Sequence, residues 1–327
     1  MVEREVIRRI IIEGQEFVNE ISLTERPFFF EQKGNYVFVG IRQAGKSYLL
    51  YQRIQQLLRE EHNINEIVYI NFDDERLRQM TADDLDLILQ AYHSLFDLRP
   101  LLFFDEIQNI EGWEHFARRL ANQKYNIYIT GSNAKMLSRE IATTLGGRFW
   151  NKDIYPYSFA EYLNARDIIL SKNWMYGKQA AEVSKAFNDY FLYGGFPELT
   201  DVIAKRVWLN DIYSKIFFSD LIVRNKVRNE EALGLLVRRL AENVKQPVSY
   251  TRLANLISSI GIKISKATVI EFIRYLKESC LIFPIENYAA KFAERNSNMK
   301  HYFIDNGLLS IFLLLSLIHI SEPTRLD

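Results

Sequence analysis

Residues 40–47 read Gly-Ile-Arg-Gln-Ala-Gly-Lys-Ser, which fits the spacing G-x-x-x-x-G-K-[ST]. Those residue types at that spacing suit the capture of a phosphate chain. Glycine lets the backbone curl until successive N–H groups point inward and form an anion nest. A helix starting at the end of such a turn adds the positive end of its dipole. The candidate nucleotide contacts are Gly40, Arg42, Gln43, Ala44, Gly45, Lys46, Ser47 and Tyr48. Lys46 is placed to reach the β- and γ-phosphates of ATP, and the Ser47 hydroxyl to ligate Mg²⁺.

The second such stretch is 101–106, Leu-Leu-Phe-Phe-Asp-Glu. Four apolar residues ending in two acids make a Walker B strand, buried along its length and acidic at its tip. Asp105 is placed to hold the Mg²⁺ shell, and Glu106 to polarise an attacking water as general base. The adjacent glutamate favours ATP hydrolysis over a small GTPase. The guanine-reading pattern Asn-Lys-x-Asp is not met, because Asp153 follows Asn151-Lys152 one position too early.

Three further groups carry two readings each. Ser132 and Asn133 follow an apolar run at 127–130 and could sense the γ-phosphate, or cap a helix over 134–143, or both. Arg148 could complete a neighbouring subunit's site as an arginine finger, or lie idle on the surface. Asp73, Asp74 and Glu75 end a strand at 67–71, where α/β sheets bind ligands, or they form a solvated loop.

These residues need strands that present them and helices that cross between the strands. Apolar runs at 36–39, 67–71, 101–104, 127–130 and 149–157 supply five strands. The stretch 48–61 has helical spacing through Leu49, Leu50, Ile54, Leu57 and Leu58. Thr81 and Asp84 form a capping pair that opens a helix running to about Phe96, and 113–123 makes another. Residues 3–20 read as an amphipathic helix with Val6, Ile7, Ile10, Ile11 and Phe17 on its apolar side. Phe28, Phe29 and Phe30 lead into the first strand as core residues or as neighbours of an adenine. The alternation predicts an α/β fold, a P-loop NTPase three-layer sandwich around a mostly parallel five-stranded sheet.

A length of 327 residues suggests two domains, and 48% hydrophobic with 25% charged residues is ordinary for a globular chain. Zero formal net charge argues against a whole-protein electrostatic grip on nucleic acid, though not against a local basic face. The single cysteine, Cys280, excludes an internal disulfide and fits a reducing, cytoplasmic setting; its apolar helical context reads as a core thiol. Charges interrupt 1–12, so no signal peptide is visible there, and 308–320 is too short and too interrupted to span a bilayer.

Together the motifs resemble a known family, the bacterial and archaeal AAA-type ATPases whose P-loop domain is joined to an uncharacterised C-terminal domain. The resemblance runs from the first helix to Leu314. It rests on residues 40–47, Phe104-Asp105-Glu106-Ile107-Gln108, Tyr128-Ile129-Thr130-Gly131-Ser132, Leu145-Gly146-Gly147-Arg148, Pro156-Tyr157-Ser158-Phe159-Ala160-Glu161-Tyr162, Tyr193-Gly194-Gly195-Phe196-Pro197-Glu198 and Tyr302-Phe303-Ile304-Asp305-Asn306-Gly307-Leu308. It implies ATP binding, a sheet order of the additional-strand type, and Arg148 as the arginine finger. A finger acting in trans implies a homo-oligomer.

The remainder divides by pattern. Residues 1–30 form a lead-in, 31–158 the P-loop domain, 159–245 a helical lid or linker, 246–314 a winged-helix domain and 315–327 a tail. The glycines and proline of 193–197 mark a fixed turn. In 246–314, helices over 249–257 and 265–279 are followed by strands near 281–285 and 301–304, which flank a loop with Lys291, Arg295 and Lys300. A DNA reader places the second helix in the major groove and grips phosphate with such a loop. Lys263, Lys266, Arg274 and Lys277 supply cations, while Glu271, Glu278 and Glu294 dilute them, and winged helices also bind proteins. Residues 315–325 resemble a translated sequencing-library adaptor, which predicts a non-native tail after Leu314.

Overall fold

A computed structural model of the chain describes residues 3–31, 33–133, 136, 139–286 and 299–318, with only the backbone of 139, 140, 142 and 314–318. Its internal contacts define two units. The first holds the chain up to Gly40 together with Gly45–Ile154; the second holds Ile41–Ala44 and the chain from Tyr155 onward.

The first unit is built on five strands, β1 (Asn35–Val39), β2 (Ile67–Asn71), β3 (Leu101–Asp105), β4 (Asn126–Gly131) and β5 (Phe149–Asp153). They lie in the order β2-β3-β4-β1-β5, and every pairing is parallel. Parallel neighbours need crossovers, so helices cover the faces and the strands read as continuous apolar runs. β1 to β4 follow this rule, whereas the edge strand β5, Phe-Trp-Asn-Lys-Asp, is mostly exposed. It stops at Asp153 and not at 157: Ile154 still donates to the Val39 carbonyl at 2.6 Å, but Pro156 has no N–H to continue the ladder. β4 lies between β1 and β3, the inserted-strand order that the family resemblance implies.

The helices are α1 (Arg4–Glu20), α2 (Lys46–Arg59), α3 (Asp86–His93), α4 (Trp113–Asn122) and α5 (Arg139–Leu145). In α1, Ile7, Ile10 and Ile11 are buried, but Phe17 is 49% exposed and meets Tyr51 edge-on; Val18 fills the buried position. α2 starts at Lys46, two residues before the sequence-based start, because Gly45 at φ +90° turns the chain straight into the helix. The Thr81–Asp84 pair forms as a capping box, yet it closes only the 3-10 turn Ala82–Asp84, and α3 ends at His93, short of Phe96. Of the helix expected over 134–143, α5 covers the part from Arg139, and positions 134, 135, 137 and 138 lie outside the described residues. Phe28 and Phe30 pack against Tyr36 and Phe38 as core, whereas Phe29 is exposed.

The second unit is helical: α6 (Phe159–Ala165), α7 (Gln179–Tyr193), α8 (Lys205–Lys215), a π-helix (Ile216–Val223), α9 (Glu230–Glu242), α10 (Tyr250–Ser258) and α11 (Lys266–Glu278). Two antiparallel strands follow, β6 (Ile282–Ile285) paired with β7 (Lys300–Phe303), and then α12 (Asn306–Ile318). Ser249 and Ser265 cap α10 and α11 through their hydroxyls, and Gly261 at φ +95° makes the turn between them. Cys280, at φ +58°, is half-buried in the turn that ends α11. Lys291, Arg295 and Glu294 lie outside the described residues, as do 319–327.

Asp305 is the joint of this unit. Its carboxylate accepts the Gly195 N–H at 2.8 Å and the Gly307 N–H at 2.7 Å, while the Gly195 carbonyl accepts the Tyr157 N–H at 2.6 Å. Gly194 has φ +83°, and a Cβ there would stand 1.8 Å from an Asp305 oxygen, so only glycine fits. Among the described residues no helix is long and apolar enough to cross a membrane.

Candidate active site

Because the strands are parallel, the carboxyl ends of β1, β4 and β3 meet along one edge of the sheet, in that order. Phosphate-loop residues leave from β1, Ser132 follows β4, and Asp105 and Glu106 end β3. The chain leaves β1 through Gly40, where a Cβ would stand 1.9 Å from the Ile154 carbonyl oxygen. Gln43 at φ +60° and Gly45 at φ +90° give the loop its curl. Lys46 is the first residue of α2, and its side chain is 2% exposed. Its Nζ donates to the Gly40 carbonyl at 3.1 Å and lies 3.7 Å from a Glu106 carboxylate oxygen.

Asp105 is 1% exposed and its partners are hydroxyls. Tyr69 donates to it at 2.8 Å, and Thr130 and Ser47 also hydrogen-bond it. Burial pushes its pKa up, and the neighbouring Glu106 charge adds to the shift. Burial also pushes the Tyr69 phenol far above its ordinary value, with the Asp105 charge next in effect. Tyr51 lies behind it, its hydroxyl 2.9 Å from that of Tyr69.

Glu106 occupies a left-handed conformation, φ +52°, uncommon for a residue other than glycine and frequent at functional sites. Its N–H donates to the Thr130 hydroxyl at 2.9 Å. Its carboxylate accepts Gln108 Nε2 at 2.5 Å and the Ser132 hydroxyl at 3.0 Å. Gln108 Nε2 also donates to Ser132 at 3.3 Å, while the buried Gln108 Oε1 has no hydrogen-bond partner. Thus Lys46, Ser47, Asp105, Glu106 and Ser132 form one cluster, joined by Tyr69, Thr130 and Gln108, to which sequence reasoning assigned no role. The signals available for these three were a tyrosine inside an apolar strand, a threonine at a strand tip, and a polar residue two after the Walker acids.

Other candidates stand apart. Asn133 is half-buried, and its carbonyl accepts the Met136 N–H at 3.0 Å, so it starts a turn. Tyr48 is about half exposed, edge-on to Tyr51. Arg148 is exposed and donates to the Gly146 carbonyl at 3.0 Å. It precedes Phe149, which pairs with Asn35 at the start of β1, so four residue steps, roughly 13 Å of strand, already separate the level of Phe149 from the phosphate-loop edge. The acids of 73–75 serve the loop: Asp74 caps a 3-10 turn and pairs with Arg76, and Asp73 accepts Asn109 at 2.6 Å.

The residues fit a magnesium nucleotide. Ser47 and Asp105 offer two hard oxygens, already hydrogen-bonded to each other, and Mg²⁺ takes one or two protein oxygens and completes its shell from phosphate and water. A buried carboxylate whose charge is disfavoured where it stands gains from a cation. The glycine curl and the buried Lys46 ammonium match a phosphate chain.

The chain resembles known proteins in sequence and in fold. A family model described as an AAA domain matches residues 32–163, and one described as a domain of unknown function matches 184–317. An uncharacterised protein of Methanocaldococcus jannaschii is 32% identical over 311 residues, 93% of this chain and 69% of that one. An uncharacterised protein of Haemophilus influenzae is 31% identical over 277 residues, 83% of this chain and 67% of that one. Among solved structures, a Walker-type ATPase of Pyrococcus abyssi shares the fold, with a TM-score of 0.53 at 13% identity over 96% of each chain. The chain therefore belongs to the family of AAA-type P-loop proteins that these archaeal and bacterial relatives represent.

Proposed function

We propose that this protein binds ATP with Mg²⁺, hydrolyses it, and couples turnover to a partner of its C-terminal region. The observation that carries the reading is the gathering of Lys46, Ser47, Asp105, Glu106 and Ser132 at three neighbouring strand tips. In this reading the loop N–H groups of 40–47 and the Lys46 ammonium bind the phosphates. Ser47 and Asp105 hold Mg²⁺, which draws charge from the phosphate oxygens when bound. Glu106 accepts a proton from the attacking water, and Ser132, already on its carboxylate, aligns the two. Arg148 sits at the far end of the strands, so it serves a neighbouring copy in a homo-oligomer. A cytoplasmic location is consistent with the single cysteine.

The partner is proposed from α9, α10, α11 and the β6–β7 strand pair, which we read as a winged helix. Lys263, Lys266 and Lys300 are exposed and could meet the phosphates of DNA. A specific observation favours a second reading, a slow nucleotide-gated switch acting on a protein. Arg274, on the would-be recognition helix, is tied to Glu278 at 3.1 Å and Glu271 at 3.8 Å, which neutralises that face. Steady-state phosphate release from ATP, titrated with duplex DNA at low salt, separates the two. Stimulation by DNA supports the first reading; turnover indifferent to DNA moves the assignment to a protein partner. No phosphate release in any condition sinks the ATPase assignment.

A further inference from the structure

Asp220 belongs to none of the motifs, yet it is a charged side chain only 3% exposed. It stands in the π-helix Ile216–Val223, a rare conformation found preferentially at functional sites. Its two oxygens accept Arg42 Nε at 3.0 Å and Nη2 at 2.9 Å, a bidentate fork, and one of them also accepts Arg224 Nη2 at 2.7 Å. One buried carboxylate therefore orients two guanidinium groups. Arg42 is the third residue of the phosphate loop, and its segment, Ile41–Ala44, falls with Asp220 in the second unit. Next to it Gln43 sits at φ +60°, with a buried Oε1 that has no hydrogen-bond partner. A nest binds phosphate well only when its N–H groups are already turned inward, because ordering a loop at the moment of binding costs affinity. A bidentate carboxylate–guanidinium pair fixes direction as well as distance.

We propose that Asp220 is a positioning residue of the nucleotide site: it grips Arg42 and so holds the crown of the phosphate loop in the conformation that receives phosphate. This rests on the ATP-binding reading above. Coupling is reciprocal, so a nucleotide that prefers the gripped loop must also tighten the grip. The π-helical segment then senses the nucleotide, at a position just ahead of the helices proposed to meet the partner.

The test measures ATP–Mg²⁺ affinity by calorimetry on the full chain for the parent, Asp220→Asn, Arg42→Met and the double variant. Each single change is expected to weaken binding about tenfold, and the double also about tenfold rather than a hundredfold, because both remove one charge-assisted pair. A purely structural Asp220 would lower the thermal midpoint of the nucleotide-free chain and leave the affinity of the folded protein alone. Should Asp220→Asn fail to fold, Arg42→Met and hydrogen exchange on the parent decide. Exchange across 216–226 is expected to slow several-fold when ATP and Mg²⁺ are added, and equal exchange with and without nucleotide overturns the proposal. A parent that binds ATP while both single variants bind it equally well overturns the positioning role alone. A parent that binds no ATP overturns the nucleotide reading, and this role with it.

Discussion

Asp105 and Asp305 are both buried aspartates, and in both burial pushes the carboxyl pKa up, to about 6 for Asp305. Their surroundings differ in kind. Asp105, in the first unit, is met by the hydroxyls of Ser47, Thr130 and Tyr69. A hydroxyl can turn its lone pairs toward a cation and release the carboxylate. Asp305, in the second unit, is met by the backbone N–H groups of Gly195, Gly307 and Leu308, which cannot turn away. The first carboxylate is dressed to change partners and the second to keep them. On the proposed reading this separates a ligand site from a structural joint better than burial does, and it implies that damage to the two regions should appear in different measurements.

The sharpest separation is expected at Lys46. On the proposed reading Lys46→Ala weakens ATP–Mg²⁺ binding on the order of a thousandfold, because several charge-assisted contacts to phosphate go at once, while the thermal midpoint stays near that of the parent. Calorimetric titration beside a melting curve checks both halves. Gly194→Ala should do the reverse. Its Cβ would collide with the Asp305 carboxylate at a backbone angle that suits glycine, so unfolding free energy falls by about 3 kcal/mol, read from denaturant melts, while the folded fraction keeps its nucleotide affinity.

A smaller effect concerns pH. With a folded pKa of about 6, Asp305 keeps its proton in the folded chain at pH values where the unfolded chain has lost it, so its contribution is fully present below about pH 4 and is lost as pH rises through about 6. His301, buried in β7, has its pKa lowered to about 4, chiefly by burial. Its contribution is present above about pH 6.5 and is lost as pH falls through 4. The two slopes oppose each other over the same window. Asp305→Asn should therefore lose on the order of 2 kcal/mol more stability than the parent between pH 6.5 and 4. Parallel pH profiles for the two proteins would remove Asp305 from this account.

Much of the sheet was legible because β1 to β4 are buried on both faces and leave unbroken apolar runs. The errors fell where a pattern continues past its physical limit. Ile154-Tyr155-Pro156-Tyr157 looks like strand, but proline cannot donate to the ladder. Phe17 suits the apolar stripe of α1 by type, but Val18 occupies it. In the site, Lys46, Ser47, Asp105 and Glu106 were legible because each sits at a fixed offset inside a contiguous motif. Tyr69 and Thr130 were not, since their role comes from strand order: only β4 lying beside β3 brings Thr130 to Asp105. The Arg42–Asp220 pair joins residues 178 apart in sequence, a separation at which local pattern says nothing. Its one signal was an aspartate within the apolar run Ile216-Phe217-Phe218-Ser219-Asp220-Leu221-Ile222-Val223.

The central claim is that the acids at the tip of β3 divide the work, Asp105 holding the metal and Glu106 activating water. The most direct test compares Glu106→Gln with the parent for ATP affinity and for phosphate release in the presence of Mg²⁺. The account predicts that affinity stays within a few-fold while turnover falls by at least about a hundredfold, since the amide cannot accept the proton. Equal turnover in the two proteins would contradict it.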